Sequence, residues 1–237
     1  MKILAIDSSG LVATVAVLED NRMLAEYTIN FKKTHSQTLV PMMNEIKEMI
    51  ELDLNTIDAI AVAKGPGSFT GLRIGSATAK GLGLALKKPI ISVPTLDALA
   101  FNLWGCERYI CPMMDARREQ VYTGVYHFSK GELIIDKEGC AIPVKELIEY
   151  INEQGKETVF LGDGVPVYKN ALEEGLRVSF DYAPGHAAGQ RAGALGVLAL
   201  RYLKDGITES AADHKPDYLR LSQAERERAE KLGNKQS

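Results

Sequence analysis

Tryptophan appears once in 237 residues, cysteine three times and histidine four times, and neither sign of charge prevails. The 28 basic and 31 acidic side chains leave a formal charge of −3. A chain so balanced has no general attraction for a phosphate backbone, so contact with nucleic acid would need a patch assembled by folding. The balance is local as well: residues 1–100 carry ten side chains of each sign, and the later residues carry the whole deficit. No stretch approaches the roughly 20 consecutive apolar residues that span a bilayer. Residues 1–6 are largely apolar, but Asp7 interrupts them well short of a secretory h-region, and a cytoplasmic location is the expectation. Cys106, Cys111 and Cys140 are odd in number and follow no metal-ligand spacing, which fits reduced thiols rather than a disulfide framework. His35, His127, His186 and His214 are equally scattered, and each reads as a solvated or hydrogen-bonded structural histidine.

What is present is a globular composition, 46% hydrophobic and 25% charged, in a chain long enough for one large domain or two ordinary ones. Residues 2–7, 11–18 and 23–30 read as three strands, separated by a tight turn at 8–10 and a hairpin turn at 19–22. The period then lengthens. Leu39, Met42, Met43, Ile46, Met49 and Ile50 recur at helical spacing, with Pro41 tolerable only in a first turn. A strand at 57–63, a helix at 72–86 and a strand at 89–93 follow. Residues 109–114, 120–128 and 132–138 are again three strands, then a helix at 144–151, a strand at 158–161 and a helix at 167–173. The order β-β-β-α-β-α is thus written twice. Two lobes are expected, 1–103 and 104–216, followed by a charged, frayed tail at 217–237. A long helix at 187–203 belongs to the second lobe or packs back against the first. The duplicated α/β order resembles the actin-like (ASKHA, ribonuclease H-like) plan, two lobes around a cleft that usually holds nucleotide phosphates.

Four stretches carry a sharper resemblance. They are Ile3-Leu4-Ala5-Ile6-Asp7-Ser8-Ser9; Thr34-His35-Ser36-Gln37-Thr38-Leu39-Val40-Pro41; Lys64-Gly65-Pro66-Gly67-Ser68-Phe69-Thr70-Gly71-Leu72-Arg73-Ile74-Gly75; and Asp115-Ala116-Arg117-Arg118-Glu119-Gln120-Val121-Tyr122. In the third, Gly65, Gly67 and Gly71 permit backbone that side chains would forbid, and Ser68 or Thr70 can cap a helix beginning near Leu72. A glycine-rich turn into a helix is a ready anion site, yet no Gly-Lys-Ser/Thr follows, so a structural turn is preferred to a phosphate cradle. The next helix has little bulk, with Gly75, Ser76, Ala77, Ala79, Gly81 and Gly83. Glycines inside a helix cost about 1 kcal/mol each, which calls for compensation by close packing.

In this order and spacing the four stretches resemble the TsaB family of tRNA threonylcarbamoyladenosine biosynthesis proteins, and the likeness runs to Pro216-Asp217-Tyr218-Leu219-Arg220. The resemblance implies a non-catalytic scaffold that forms a heterodimer with TsaD, with the ATPase TsaE binding across the pair. TsaD transfers threonylcarbamoyl to N6 of adenosine 37 in tRNAs reading codons that begin with A. It also implies a helix–helix interface, expected here at Leu39, Met42, Met43, Ile46, Arg73, Gly75, Ser76, Ala79, Lys80 and Gly83, and a homodimer when the partner is absent. His35, Gln37, Gly65, Pro66, Gly67, Thr70, Gly71, Asp115, Arg117 and Arg118 are the family's signature positions. TsaD carries two histidines four residues apart that share a metal. Thr95 and Leu99 fall at those positions, and neither is an imidazole. No catalytic residue, metal or tightly held cofactor is expected. ATP belongs to the partner subunits, and tRNA is met through the complex. Asp7, Ser8, Ser9, Gly162 and Gly164 remain as weak nucleotide candidates, with Asp7 equally able to accept backbone hydrogen bonds at a turn. A magnesium-dependent ATPase or kinase of the same fold is the first rival. A peptidase is the second, although no Ser/His/Asp set is inferable and Cys111 has no evident base.

Overall fold

A central strand is buried on both faces, and that requirement organises the chain. The computed structural model describes residues 1–20, 22–31 and 34–219. Its first half runs β1 (Lys2–Asp7), β2 (Ala13–Glu19), β3 (Arg22–Ile29), α1 (His35–Met49), β4 (Ala59–Gly65), α2 (Phe69–Leu86), β5 (Ile90–Pro94) and α3 (Thr95–Phe101). The second half runs β6 (Tyr109–Asp115), β7 (Gln120–Ser129), β8 (Glu132–Pro143), α4 (Val144–Gln154), β9 (Thr158–Leu161), α5 (Gly164–Gly175), β10 (Phe180–Tyr182) and α6 (Ala192–Lys204). The sheets are ordered β3-β2-β1-β4-β5 and, read in the same sense, β8-β7-β6-β9-β10. Each has an antiparallel meander of three strands and two further strands added in parallel.

The layers follow from which faces are apolar. Helices α1 and α2 cover the outer face of the first sheet through Leu39, Met42, Ile46 and Ala79. The outer face of the second sheet meets Val144, Leu147, Ile151 and Leu172 of α4 and α5. Between the sheets lie α3 and α6, and their apolar side chains join Ile3, Ala5, Ala16, Ile91, Ile110 and Tyr126 in one central core. With apolar layers on both sides, β1 and β6 read as near-continuous hydrophobic runs rather than alternating ones.

The long helix of the second half packs on the first sheet, and its start is set there. Glu26 of β3 accepts from Gly193 N at 2.9 Å and holds the Arg191 guanidinium, while Thr14 of β2 accepts from Ala192 N at 3.2 Å. These are the N-terminal donors that a helix leaves unsatisfied, supplied with acceptors by another part of the chain. The helix begins at Ala192 rather than at 187. The carbonyls of Ala187 and Gly189 are taken by Asn102 Nδ2, and Arg191 is extended, so 187–191 cannot join the helical ladder. Helix α1 likewise begins at His35, which places Pro41 in its second turn. Proline there forfeits one helical hydrogen bond, on a side that faces solvent.

After α6 the chain returns as a strap along the first sheet. Ile90 and Glu209 exchange both backbone hydrogen bonds at 2.9 Å, and Lys80 Nζ donates to the carbonyls of Ala212 and His214. Asp217 N then donates to Lys64 O at 2.6 Å. Of the expected charged tail, residues 220–237 lie outside the described residues.

Candidate functional site

The loops that follow β1, β4, β6 and β9 all open onto one cleft of about 1260 Å³, and the four quoted stretches meet there. Ser9, His35, Gly67, Thr70, Gly71, Asp115 and Arg117 line it. Gly65 and Pro66 are buried behind the wall, while Gln37 and Arg118 are exposed and outside the lining. Gly162 and Gly164 flank Asp163, which does line it; Gly162 N donates to Ala188 O at 2.7 Å, and Gly164 opens α5.

The turn after β1, whose Ser9 and Gly10 reach the cleft, is bonded to itself and to the start of α2. Asp7, at the end of β1, is buried, and its Oδ1 accepts from Ser9 N at 2.8 Å and Ser9 Oγ at 2.6 Å. Burial pushes its carboxyl up to about 6, against those two hydrogen bonds, which favour the charged form. Ser8 Oγ donates to Gly71 O at 2.9 Å, and Ser9 O accepts from Ser68 N at 2.6 Å. Gly10 O is 2.8 Å from His35 Nε2. The turn therefore clamps the start of α2, where Ser68 caps the helix by accepting from Gly71 N. That clamp requires a glycine: a Cβ on Gly71 would sit 2.0 Å from Ser8 O.

Across the cleft, Arg117, Arg118 and Glu119 are three successive left-handed residues, with φ of 64°, 55° and 58°. Such conformations are strained in L-residues and persist only when the surroundings fix them. Asp115 does part of that fixing. Its Oδ1 accepts from Arg117 N at 2.9 Å and from Tyr168 OH at 3.1 Å, and its Oδ2 is 3.1 Å from the Arg117 guanidinium. Asp163 accepts from Asp115 N at 3.2 Å, and burial raises its carboxyl above the ordinary range.

The helix pair α1–α2 presents a different face from the one its small residues suggested. Leu39, Met42 and Ile46 of α1 and Gly75, Ser76, Ala79 and Gly83 of α2 are turned inward and buried, so no partner can reach them in the folded chain. The glycines serve contacts within the chain: a Cβ on Gly75 would lie 2.5 Å from Ser8 Oγ, and one on Gly83 would lie 2.8 Å from Ala211 Cβ in the strap. Met43 and Lys80 are half-buried and Arg73 is exposed, its guanidinium over the Phe69 ring. Outward lie Val40 of α1 and Leu84 of α2, 57% and 60% exposed, with the small Ala77 and Gly81 on the exposed side of α2. Sequence periodicity held the signal: the more apolar stripe of a helix is the core stripe, leaving the sparser one exposed.

No imidazole pair occupies the start of α3. Thr95 is buried with its Oγ1 unpartnered, and Leu99 is packed in the central core. Among the described residues no group of three or more His, Cys, Asp or Glu is placed to hold a metal ion. His35 meets Gly10 O, His127 pairs with Asp136 at 2.5 Å, and buried His214 meets Glu209 and Ser92, each at 2.9 Å. Burial pushes the Cys111 thiol up to about 12, far from the thiolate that a cysteine nucleophile needs.

A family model described as "TsaD: tRNA N6-adenosine threonylcarbamoyltransferase" matches residues 22–228. The chain is 34% identical over 228 residues to the tRNA threonylcarbamoyladenosine biosynthesis protein TsaB of Bacillus subtilis, covering 95% of this chain and 96% of that one. It belongs to the TsaB family. TsaB of Escherichia coli is 30% identical over 224 residues, covering 93% of this chain and 95% of its own. Among solved structures, YeaZ from Pseudomonas aeruginosa superposes with a TM-score of 0.80 at 28% identity, covering 92% of this chain and 99% of that one. The polyphosphate/ATP-glucomannokinase of an Arthrobacter strain, at a TM-score of 0.52 and 11% identity, shares the fold alone. The duplicated sheets are thus those of the ASKHA architecture, in a family member without a metal-binding histidine pair.

Several residues that fix the frame around this site were not legible beforehand. Glu26, Thr14 and Arg191 fix the start of α6, and Tyr126 OH of β7 donates to Asp97 of α3 at 3.0 Å. The Ser92–Glu209–His214 cluster pins the strap. Apart from Glu209 with His214, these pairings join residues far apart in the chain, and local spacing carries no trace of them.

Proposed function

We propose that this chain is the non-catalytic scaffold subunit of the complex that forms threonylcarbamoyladenosine at position 37 of tRNA. It would act in the cytoplasm, where its three unpaired cysteines are at home. The observation that carries the reading is the outward α1–α2 face, where Val40 and Leu84 leave apolar surface uncovered beside small residues. Exposed apolar surface around small side chains suits docking of a helix pair on a related subunit. TsaD is the partner we assign to this face, with TsaE joining the pair, tRNA reached through the complex, and a second copy occupying the face when TsaD is absent. Among the described residues, no helix is long and apolar enough to cross a membrane.

An ATPase working alone is the competing reading, favoured by the cleft and by Asp7 buried behind the lining residue Ser9. The burial of Asp7, whose carboxyl is pushed up toward its neutral form, weighs against it, because a carboxylate that orders magnesium must be charged and reach the ion's water. Mixing the chain with its cognate TsaD and TsaE separates the two. The scaffold reading requires a stable complex by light scattering and transfer to tRNA only when all three are present. ATP turnover by the isolated chain, without binding to TsaD, would reject it.

A further inference from the structure

We propose that Asn102 is a clasp that joins the two lobes into one rigid body, so that the cleft keeps its width whether it is filled or empty. Two lobes about a cleft ordinarily move against one another, unless the surface between them is extensive and apolar. In this chain the lobes share a core. Ile110 and Tyr126 of the second sheet lie in one buried cluster with Leu99 of α3, Ala199 of α6, and Ile3 and Ile91 of the first sheet. Swinging the sheets apart would part side chains that are at most 1% exposed, and an interior packed that closely does not deform by degrees.

The connections between the lobes are held as well. Among the described residues the chain passes between them twice, at 102–108 between α3 and β6 and at 183–191 between β10 and α6. A hinge needs a few residues whose backbone can turn freely. In the second passage three successive carbonyls are taken. Asn102 Nδ2 donates to Ala187 O at 3.0 Å and to Gly189 O at 2.7 Å, and Gly162 N, just past β9, donates to Ala188 O at 2.7 Å. Arg191 closes that passage by donating to His186 O at 2.7 Å while it holds Glu26 of the first sheet. In the first passage, Phe128 N of β7 donates to Cys106 O at 3.0 Å. A single amide group on Asn102 thus ties one passage to the other. Its orientation follows from its partners, because two carbonyls can be met only by the amide's NH2 side. Asn102 does not line the cleft, so its effect on the cleft is one of position.

The test reads the lobes of the full chain without any partner, so its outcome is separate from that of the scaffold reading. p-Acetylphenylalanine replaces Glu48 of α1 and Glu149 of α4, both exposed, and carries a ketoxime spin label. The labelled chain is diluted into unlabelled chain, and double electron–electron resonance gives the distance within one molecule. The unaltered chain should show one narrow distance that MgATP does not move. Asn102→Ala removes the clasp, and Asn102→Asp keeps its shape but sets an acceptor against two acceptors. Each variant that keeps its far-UV circular dichroism should add a second, longer distance. A lowered urea midpoint with no new distance makes Asn102 a merely stabilising residue and overturns the proposal. A distance in the unaltered chain that is already double, or that shortens with MgATP, overturns it too. Hydrogen exchange on the unaltered chain asks the same question without a variant. The Gly162 amide, held by Ala188 O, should exchange as slowly as the buried amides of β6, and faster exchange would show that the passage opens on its own.

Discussion

Alanine at Gly75 and alanine at Gly81 should move stability in opposite directions, although both sit in α2 and differ by one polar contact. At Gly81 nothing lies within 4 Å of an added Cβ. The substitution removes the helix cost of glycine and should stabilise by about 1 kcal/mol. The same gain is available at Gly75, but there the new Cβ would lie 2.5 Å from Ser8 Oγ. Ser8 must rotate away and abandon its 2.9 Å hydrogen bond to Gly71 O in a buried site. Losing that bond and leaving its partners unsatisfied costs about 1–3 kcal/mol, and the residual crowding costs about 1–3 kcal/mol more. After the propensity gain is subtracted, Gly75→Ala should destabilise by about 1–5 kcal/mol. Urea unfolding followed by circular dichroism reads both values. A Ser8→Ala background supplies the control, because removing Oγ removes the obstruction, and in it Gly75→Ala should be close to neutral or mildly stabilising. If Gly75→Ala stabilises the otherwise unaltered chain as much as Gly81→Ala does, the account of the inward glycines is wrong.

Other perturbations test other parts of the structure. A rise of the Asp7 carboxyl from 3.8 to about 6 means the folded chain holds that proton more tightly than the unfolded one. Its contribution to stability is therefore greatest below pH 4, is lost as pH rises through 6 and is level above. Asp7→Asn, which keeps an acceptor for Ser9, should match the parent chain near pH 4 and exceed it by up to about 3 kcal/mol at pH 7, measured by urea midpoints across that range. Glu26→Ala strips the Arg191 guanidinium and Gly193 N of their acceptor and should cost about 2–3 kcal/mol, discounted because Arg191 is partly exposed. Tyr126→Phe removes the hydrogen bond to Asp97, a largely buried carboxyl, and should cost about 1–3 kcal/mol in the same assay.

How far the sequence discloses this molecule depends on whether the informative contact is local. The strand at 158–161 is read to the residue, and the period change near Leu39 locates α1, because both signals live within a few neighbours. The doubling of the meander was visible for the same reason. Helix α3 was not, since all its residues but Asp97 are buried and no polar stripe marks a helical period. Strand β10 is three residues long, too short for any alternation to register. The start of α6 is decided by Glu26 and Thr14, more than 160 residues earlier in the chain. Most of the residues expected at an interface are buried within the chain, because small residues in a helix signal close packing without saying against what. Gly75 and Gly83 pack against Ser8 and Ala211 of their own chain. Asp7 carries the same ambiguity: a carboxylate at the end of a first strand can serve an ion or a turn, and its Oδ1 accepts from Ser9.

The most direct test of the scaffold account places charge on the outward face alone. Val40→Glu and Leu84→Glu together change two exposed side chains, so the urea midpoint should stay where it is. Light scattering with cognate TsaD, and threonylcarbamoyl transfer to tRNA in the presence of TsaE, then give the answer. The account expects the unaltered chain to bind and support transfer, and the folded variant to do neither. A folded variant that still binds TsaD and still supports transfer would contradict it.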